Sequence, residues 1–403
     1  MIIILFSLMS FAHASPGAFF ADLENFRNKN LSLQTEKQNL NASTDLLLSR
    51  QLFWTPKLSL SAEGAQTSIN SGTLLESDNL SANLNWNLSR GGSDWSALKG
   101  ARAQKAAQEL QVLNESLRVE VKAADLIFKS IYLVELKRIQ EQLLKLKDES
   151  LKIVSDRYHQ GKLPLQDVTK SEVDLTQQKN KLRIAQLDVL ENKSQISSLF
   201  IEDLRTTKWP FTEKTNPRSS KTEKVPLVEQ KYWLSQSQEA IWKASKGLHW
   251  PSLDLKFQYQ QSPIKERSNS QWTGLLSLTF PLWDQFETSA KVSDSYAKYM
   301  AALNEYKDTQ QSLLQKNDFL KDKIQTLRVN LIEAKNNLET SRKLYQDVLK
   351  GFRLGRISTN DLFTEQNRLL ESENTFAVSQ LSFHQSLIEV CALAGITCSE
   401  CLE

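Results

Sequence analysis

The chain has 403 residues, 40% of them hydrophobic, with only 12 Gly and 9 Pro. That length permits two or three ordinary domains, and the scarcity of helix breakers suits long uninterrupted helices. Its 50 basic and 47 acidic residues leave a net charge of +3, interleaved along the chain as on solvated helix faces, with no basic footprint for nucleic acid.

At the N-terminus, Ile2 to Phe11 is apolar and Ala12-His13-Ala14 precedes Ser15, which reads as an export signal over residues 1–14, although no Lys or Arg comes before it. So short an apolar stretch does not span a bilayer as a helix, and no long apolar run follows. An exported chain of this kind either stays soluble or crosses a membrane as a β-barrel.

Two stretches then alternate with period 2, predicting strands at about 53–68 and 79–90. Leu58, Leu60, Ala62 and Gly64 alternate with Lys57, Ser59, Ser61 and Glu63. Leu80, Ala82, Leu84, Trp86 and Leu88 alternate with Ser81, Asn83, Asn85, Asn87 and Ser89. From Ala101 to Gln160 there is neither Gly nor Pro, and the seam Leu110, Leu113, Leu117, Val121, Ala124, Phe128 has coiled-coil spacing. A long helix at about 94–160 is expected, about 100 Å long at about 1.5 Å per residue. Gly161 suits a left-handed cap, and Pro164 the first turn of a return helix over about 165–205. A polar, Pro-containing stretch at 206–226 reads as a linker.

The series then returns. Pro251 answers Pro56, Gly355 answers Gly161, and GFRLGRISTNDL (351–362) aligns with RYHQGKLPLQDV (157–168). The period is too long for a solenoid and reads as one duplicated half-molecule, residues 15–205 and 227–403. Strands are predicted at about 250–261 and 271–282, carrying Leu253, Leu255, Phe257 and Tyr259, then Trp272, Gly274, Leu276, Leu278, Phe280 and Leu282; Leu275 breaks the polar face. A long helix at about 285–352 carries Leu320, Ile324, Leu327, Leu331, Ala334 and Leu338 in one seam, extended by Tyr345 and Val348. Its return helix spans about 358–395, with Ser358, Thr359 and Asn360 as candidate N-caps.

Period 2 alone fits a soluble half-buried sheet as well as a membrane barrel. Trp54, Trp86, Trp250, Trp272 and Trp283, in or beside the strands, favour the membrane. Four strands cannot close a barrel, so several copies of the chain have to share one. The three cysteines, Cys391, Cys398 and Cys401, lack a nearby His, and in an exported protein they read as a local disulfide with one thiol left over. Four His, no phosphate-binding glycine loop and no H-E-x-x-H leave no signal for an enzyme, a cofactor or a metal; Glu172 and Asp174 read as solvated helix face.

The order strand, strand, long helix, Y/F-x-x-G turn with a following Asp, return helix, all repeated, resembles the TolC family of outer-membrane efflux and secretion channels. The carriers are Tyr158, Gly161 and Asp167, Phe352, Gly355 and Asp361, and the strand-to-helix passages LNWNLSRGGSDW (84–95) and LSLTFPLWDQFE (276–287). The resemblance implies a homotrimer, with four strands per chain in one barrel in outer-membrane lipid and a helical tunnel in the periplasm. It also implies an adaptor and an inner-membrane transporter as partners. Tyr158, Gly161, Phe352 and Gly355 would form the docking tip. Asp167 and Asp361, with Arg353, Arg356, Lys162 and Lys170 as salt-link partners, would form a gate. Thr364 stands where the family's best-known gate has a second acid, and the short chain implies a reduced mid-tunnel collar. The reading from a different class is an exported structural coiled coil without a pore.

Overall fold

The computed structural model describes residues 16–68, 74–199, 206–217, 225–264 and 267–402. The export signal expected over 1–14 lies outside these, as do 200–205 of the first return helix and 218–224 of the linker. In chain order the elements are α1 (Pro16–Lys29), α2 (Leu31–Gln51), β1 (Lys57–Ser68), β2 (Leu74–Arg90), α3 (Ser93–His159), α4 (Leu165–Leu199), α5 (Pro226–Lys246), β3 (Ser252–Ile264), β4 (Arg267–Thr279), α6 (Glu287–Arg353), α7 (Thr359–Ala394) and α8 (Cys398–Leu402). The duplication is close in length: α3 and α6 both have 67 residues, α4 has 35 and α7 has 36.

Three helices precede the strand pairs where none was expected. Asn30 starts α2, its side-chain oxygen accepting from Ser32 N at 2.9 Å and Leu33 N at 3.3 Å. Only Leu33 of α2 is buried, so its apolar residues leave no clear helical stripe to read. The strands also differ from expectation at their ends. β1 starts at Lys57 because residues 52–55 form a turn, and β2 begins as early as Leu74.

Two compact units share the chain. The first, Met1–Gln34, Asn114–Val225 and Ser312–Glu403, is helical. Leu320, Ile324, Leu331, Ala334, Leu338 and Tyr345 of the α6 seam are buried in its core. Leu117, Ala124 and Phe128 of the α3 seam are buried there too. Leu113, placed in that seam by spacing, is exposed and falls in the second unit. Residues 206–217 are more than a polar linker. Thr206 donates from N and Oγ1 to Asp22 at 2.9 and 2.7 Å, and Trp209 and Phe211 are buried against His384 and Phe128. The His384 ring places Nδ1 2.7 Å from the Gln380 carbonyl and Nε2 3.1 Å from that of Phe211. Two buried aromatics thus fix a segment whose average composition is polar.

At the C-terminus Gly395, with φ 74°, closes α7 and turns the chain so that Cys401 reaches Cys391, the pair forming a disulfide. Cys398 is the thiol left over, buried, and burial beside Glu120 pushes it above the usual thiol range. Buried Glu120 also accepts from Cys398 N at 3.2 Å and from Arg27 at 2.9 Å, joining α1, α3 and α8.

The second unit, Thr35–Leu113 and Pro226–Gln311, holds the sheet. Its four strands are antiparallel in the order β1-β2-β3-β4. In it α5 approaches α3 closely: a Cβ on Gly100 would lie 3.4 Å from that of Ala240.

Candidate functional site

The register decides what the sheet presents. Leu58 pairs with Leu84, Leu84 with Phe257, and Phe257 with Gly274; Leu60, Ala82, Tyr259 and Trp272 form another row. Paired residues share a face, so the four alternating apolar sets fall on one side, except that a bulge between Asn87 and Ser89 takes Leu88 out of register and sets Ser89 opposite Leu253, and that Phe280 and Leu282 lie past the end of β4. Lys57, Asn85 and Lys256 share the opposite side with Ser59, Asn83, Gln258 and Thr273. Leu275, opposite Lys256, is the apolar residue on that polar face. Among the described residues nothing in the unit covers this part of the apolar face: Leu58, Leu60, Phe257, Trp272, Leu276 and Leu278 are all exposed. A Cβ on Gly274 would stand 3.2 Å from the Phe257 ring, so glycine lets that ring lie along its neighbour strand. The free edges of β1 and β4 belong to strands of opposite direction, since in a run of four antiparallel strands the last runs opposite to the first.

In the helical unit, α3 and α6 end in the same turn. Gly161 N–H donates to the Tyr158 carbonyl at 2.8 Å and Lys162 N–H to that of Arg157 at 2.9 Å. Gly355 N–H donates to Phe352 at 2.9 Å and Arg356 N–H to Gly351 at 2.9 Å. This is the Schellman arrangement, and it needs the left-handed backbone found at Gly161 (φ 71°) and Gly355 (φ 75°). A Cβ at either glycine would meet no atom within 4 Å, so backbone conformation alone selects glycine there.

The two turns are joined. Arg157 donates to the Phe352 carbonyl and, at 3.3 Å, to the Arg353 carbonyl, the last of α6. Its guanidinium lies 4.4 Å from the centre of the Phe352 ring. A cation on the C-terminal carbonyls of a helix and over an aromatic face is favourable on both counts. Lys170 of α4 donates to Asn360 of α7 at 2.9 Å. Sequence reading passed over Arg157; its signal was a basic residue in the last turn of a helix.

The expected docking residues separate. Tyr158 is 37% exposed, but Phe352 is 0% exposed, so at the second turn the ring is not at the surface. The expected salt links are absent within one chain: among the described residues neither Asp167 nor Asp361 is ion-paired to Arg353, Arg356, Lys162 or Lys170. Asp361 is instead part of a cap. Ser358 Oγ accepts from Asp361 N at 3.2 Å and donates to Asp361 Oδ2 at 2.7 Å. Asp167 N donates to the Pro164 carbonyl at 3.2 Å, and the Asp167 carbonyl accepts from Ser171. Lys162 turns to Gln160. The acids sit in the first turns of their helices, where the dipole favours them, and Arg353 and Arg356 stay exposed. No cluster of His, Cys, Asp or Glu suited to a metal ion occurs among the described residues. No helix there is long and apolar enough to cross a membrane.

Residues 23–200 match the family model described as outer membrane efflux protein. No curated protein matches the sequence. Among solved structures, the outer membrane protein VceC of Vibrio cholerae superposes with TM-score 0.79 at 14% identity, over 94% of this chain and 97% of that one. The CmeC outer membrane channel of Campylobacter jejuni gives TM-score 0.82 at 14% identity, over 94% and 85%. The open MtrE outer membrane channel of Neisseria gonorrhoeae gives 0.80 at 16%, over 94% and 89%. The resemblance read from the turns and passages therefore holds, and the fold is that of the outer-membrane channels.

Proposed function

We propose that this chain, an outer membrane efflux protein by its first half and an outer-membrane channel by its fold, is the passive exit duct of an efflux or secretion system. The observation that carries the reading is the sheet: one uncovered apolar face, one polar face, and two free edges that run antiparallel. Three chains joined β4 to β1 make a closed twelve-stranded antiparallel barrel, with the apolar face on lipid and the polar face on water. The long helices of three chains line the tunnel below it. Energy comes from an inner-membrane transporter, coupled through a periplasmic adaptor that meets the turns at Gly161 and Gly355. An exported coiled coil without a pore leaves the apolar face without a role.

In this reading Asp361, and secondarily Asp167, narrows the resting tunnel as a ring of three carboxylates, with Arg353 and Arg356 of adjoining chains offsetting the repulsion. Ser358 holds the Asp361 carboxylate in place. The test of the duct is direct. Detergent-extracted protein from the outer-membrane fraction should run as a trimer and give discrete conductance steps in planar bilayers. Leu84→Arg and Leu278→Arg, on the apolar face, should cost about 2–4 kcal/mol and abolish the trimer, while Asn85→Arg and Ser277→Arg leave it. Equal tolerance at all four positions would remove the barrel. Asp361→Asn should raise single-channel conductance and weaken block by divalent cations; unchanged conductance and block would leave Asp361 as a capping acid only.

A further inference from the structure

The polar face of the sheet carries a charged row. Lys57 pairs with Asn85, Asn85 with Lys256 and Lys256 with Leu275, so one line across all four strands bears two lysines. They stand two strands apart, about 10 Å at about 4.8 Å per strand. All four side chains of the row are exposed. Among the described residues neither Lys57 nor Lys256 forms an ion pair. Asn85 beside them is neutral, and Leu275 leaves Lys256 without an acceptor on that side.

The other described charges of this face lie off the row. Asp254 is two residues along β3, about 7 Å from Lys256, and Glu63 is six residues along β1, about 20 Å from Lys57. The Asp254 carboxylate accepts from Ser252 Oγ at 3.4 Å. Arg90, opposite Ser252, is paired with Asp94 at 3.9 Å. Two lysines less Asp254 leave a net charge of +1 per chain at this level.

Closure of the barrel brings these charges together. Twelve strands about 4.8 Å apart and tilted about 40° give a backbone diameter of about 24 Å. A lysine reaches about 6 Å inward, which leaves each ammonium group about 6 Å from the axis. That is shorter than the Debye length of about 8 Å at physiological salt, so ions in the bore are not screened from the lysines. Threefold symmetry repeats each lysine at its own height, and strand tilt separates the two heights by about 6 Å.

We propose that Lys57 and Lys256 form an anion-attracting constriction inside the barrel, a site that takes compact multivalent anions and disfavours cations as they pass. The proposal rests on the duct reading above and adds a charged ring distinct from the acids Asp167 and Asp361.

Full-length trimers in planar bilayers test it. Tripolyphosphate should block wild-type conductance with an affinity at least about tenfold above that for the double variant Lys57→Gln/Lys256→Gln, and the block should weaken as salt rises. In a potassium chloride gradient the double variant should move the reversal potential toward potassium, whereas Asp254→Asn should move it toward chloride. Lys57→Arg/Lys256→Arg should keep the wild-type block, because the charge is retained. Both lysines are exposed and unpaired, so these variants should yield trimer in wild-type amounts. Unchanged block and reversal potential in the glutamine variant overturn the proposal while the duct stands. Block lost equally with glutamine and arginine overturns it too, since shape and not charge would then matter. If the wild type gives neither trimer nor conductance steps, the duct reading fails and the constriction with it.

Discussion

The two copies of the half-molecule end their long helices in one turn geometry but treat the neighbouring aromatic in opposite ways. Phe352 is sealed under the guanidinium of Arg157, while Tyr158, its counterpart in the first copy, is partly open. The position answering Arg157 in the second copy is Gly351, which has no side chain to offer. A Cβ there would come within 2.5 Å of Ile357 Cδ1, so Ile357 occupies the space. One duplicated sequence thus makes one turn clasp the other, and the asymmetry rests on a single aligned pair.

A second contrast lies where each strand pair passes into its long helix. In the first copy Gly91 and Gly92 take left-handed backbone, with φ of 58° and 78°. In the second copy Gln285 and Phe286 do so, with φ of 54° and 66°. The chain needs two successive left-handed residues at this passage. The first copy meets that need with glycine, and the second carries the strain of two side chains there, about 1–2 kcal/mol each before compensation. Asp284 compensates in part, its carboxylate accepting from Thr288 N at 2.9 Å. The Phe286 ring also packs against Trp283, at 5.2 Å.

The largest expected effect separates the two glycines. A Cβ at Gly91 would stand 2.5 Å from the Gly247 carbonyl and from the Trp250 side chain, whereas one at Gly92 meets nothing within 4 Å. Gly91→Ala should cost about 3 kcal/mol or more and Gly92→Ala about 1 kcal/mol. Urea unfolding midpoints read the difference; equal costs would mean that the turn, and not the close approach, sets the requirement.

The clasp comes next. Arg157→Ala removes the cation from the α6 carbonyls and from the Phe352 face, and should cost about 2 kcal/mol. Arg157→Lys should recover only part, because an ammonium has no planar fork. Hydrogen exchange should speed up at the end of α6 and less at the end of α3. Equal protection at both ends in Arg157→Ala would show that the two turns hold independently.

A gain is expected in the second copy. Gln285 is exposed and has no ring contact, so Gln285→Gly should stabilise by about 1 kcal/mol. Phe286→Gly should gain less, since it loses the Trp283 contact. A lower thermal midpoint for Gln285→Gly would mean that its side chain contributes more than the backbone strain takes away.

The smallest effect concerns the return helices. Ser358 caps α7, while Pro164 holds the corresponding place before α4 without a capping side chain. Ser358→Ala should cost about 1 kcal/mol. Circular dichroism melting is the check, and an unchanged melt would place the cap's contribution with Asp361 alone.

Much of this architecture was legible in order of appearance. Alternation at Leu80 to Ser89 fixes a strand, and steps of three and four from Leu320 to Leu338 fix a long helix, because each pattern fits only one backbone period. Gly161 and Gly355 mark the turns, since left-handed backbone there excludes most other residues. By contrast α2 and α5 went unread: α2 buries only Leu33, and α5 buries Gln230, Ser235 and Ser237 beside Val228 and Ala240. α2 has little apolar periodicity, and α5 sets polar residues among those it buries, so packing decides these helices.

The site divides along the same line. The sequence by itself determined which residues alternate, where the chain turns, and that four strands are too few to close. It could not determine that β2 lies beside β3, because pairing of distant strands depends on register and not on local preference. That pairing turns four separate stripes into one apolar face. Nor could it foretell that Phe352 is covered and Tyr158 open, that Trp209 and Phe211 anchor the linker, or that Asp361 bonds to Ser358. Each of these is a meeting of side chains distant in sequence or of a side chain with a cap, and such meetings exist only once the chain has packed.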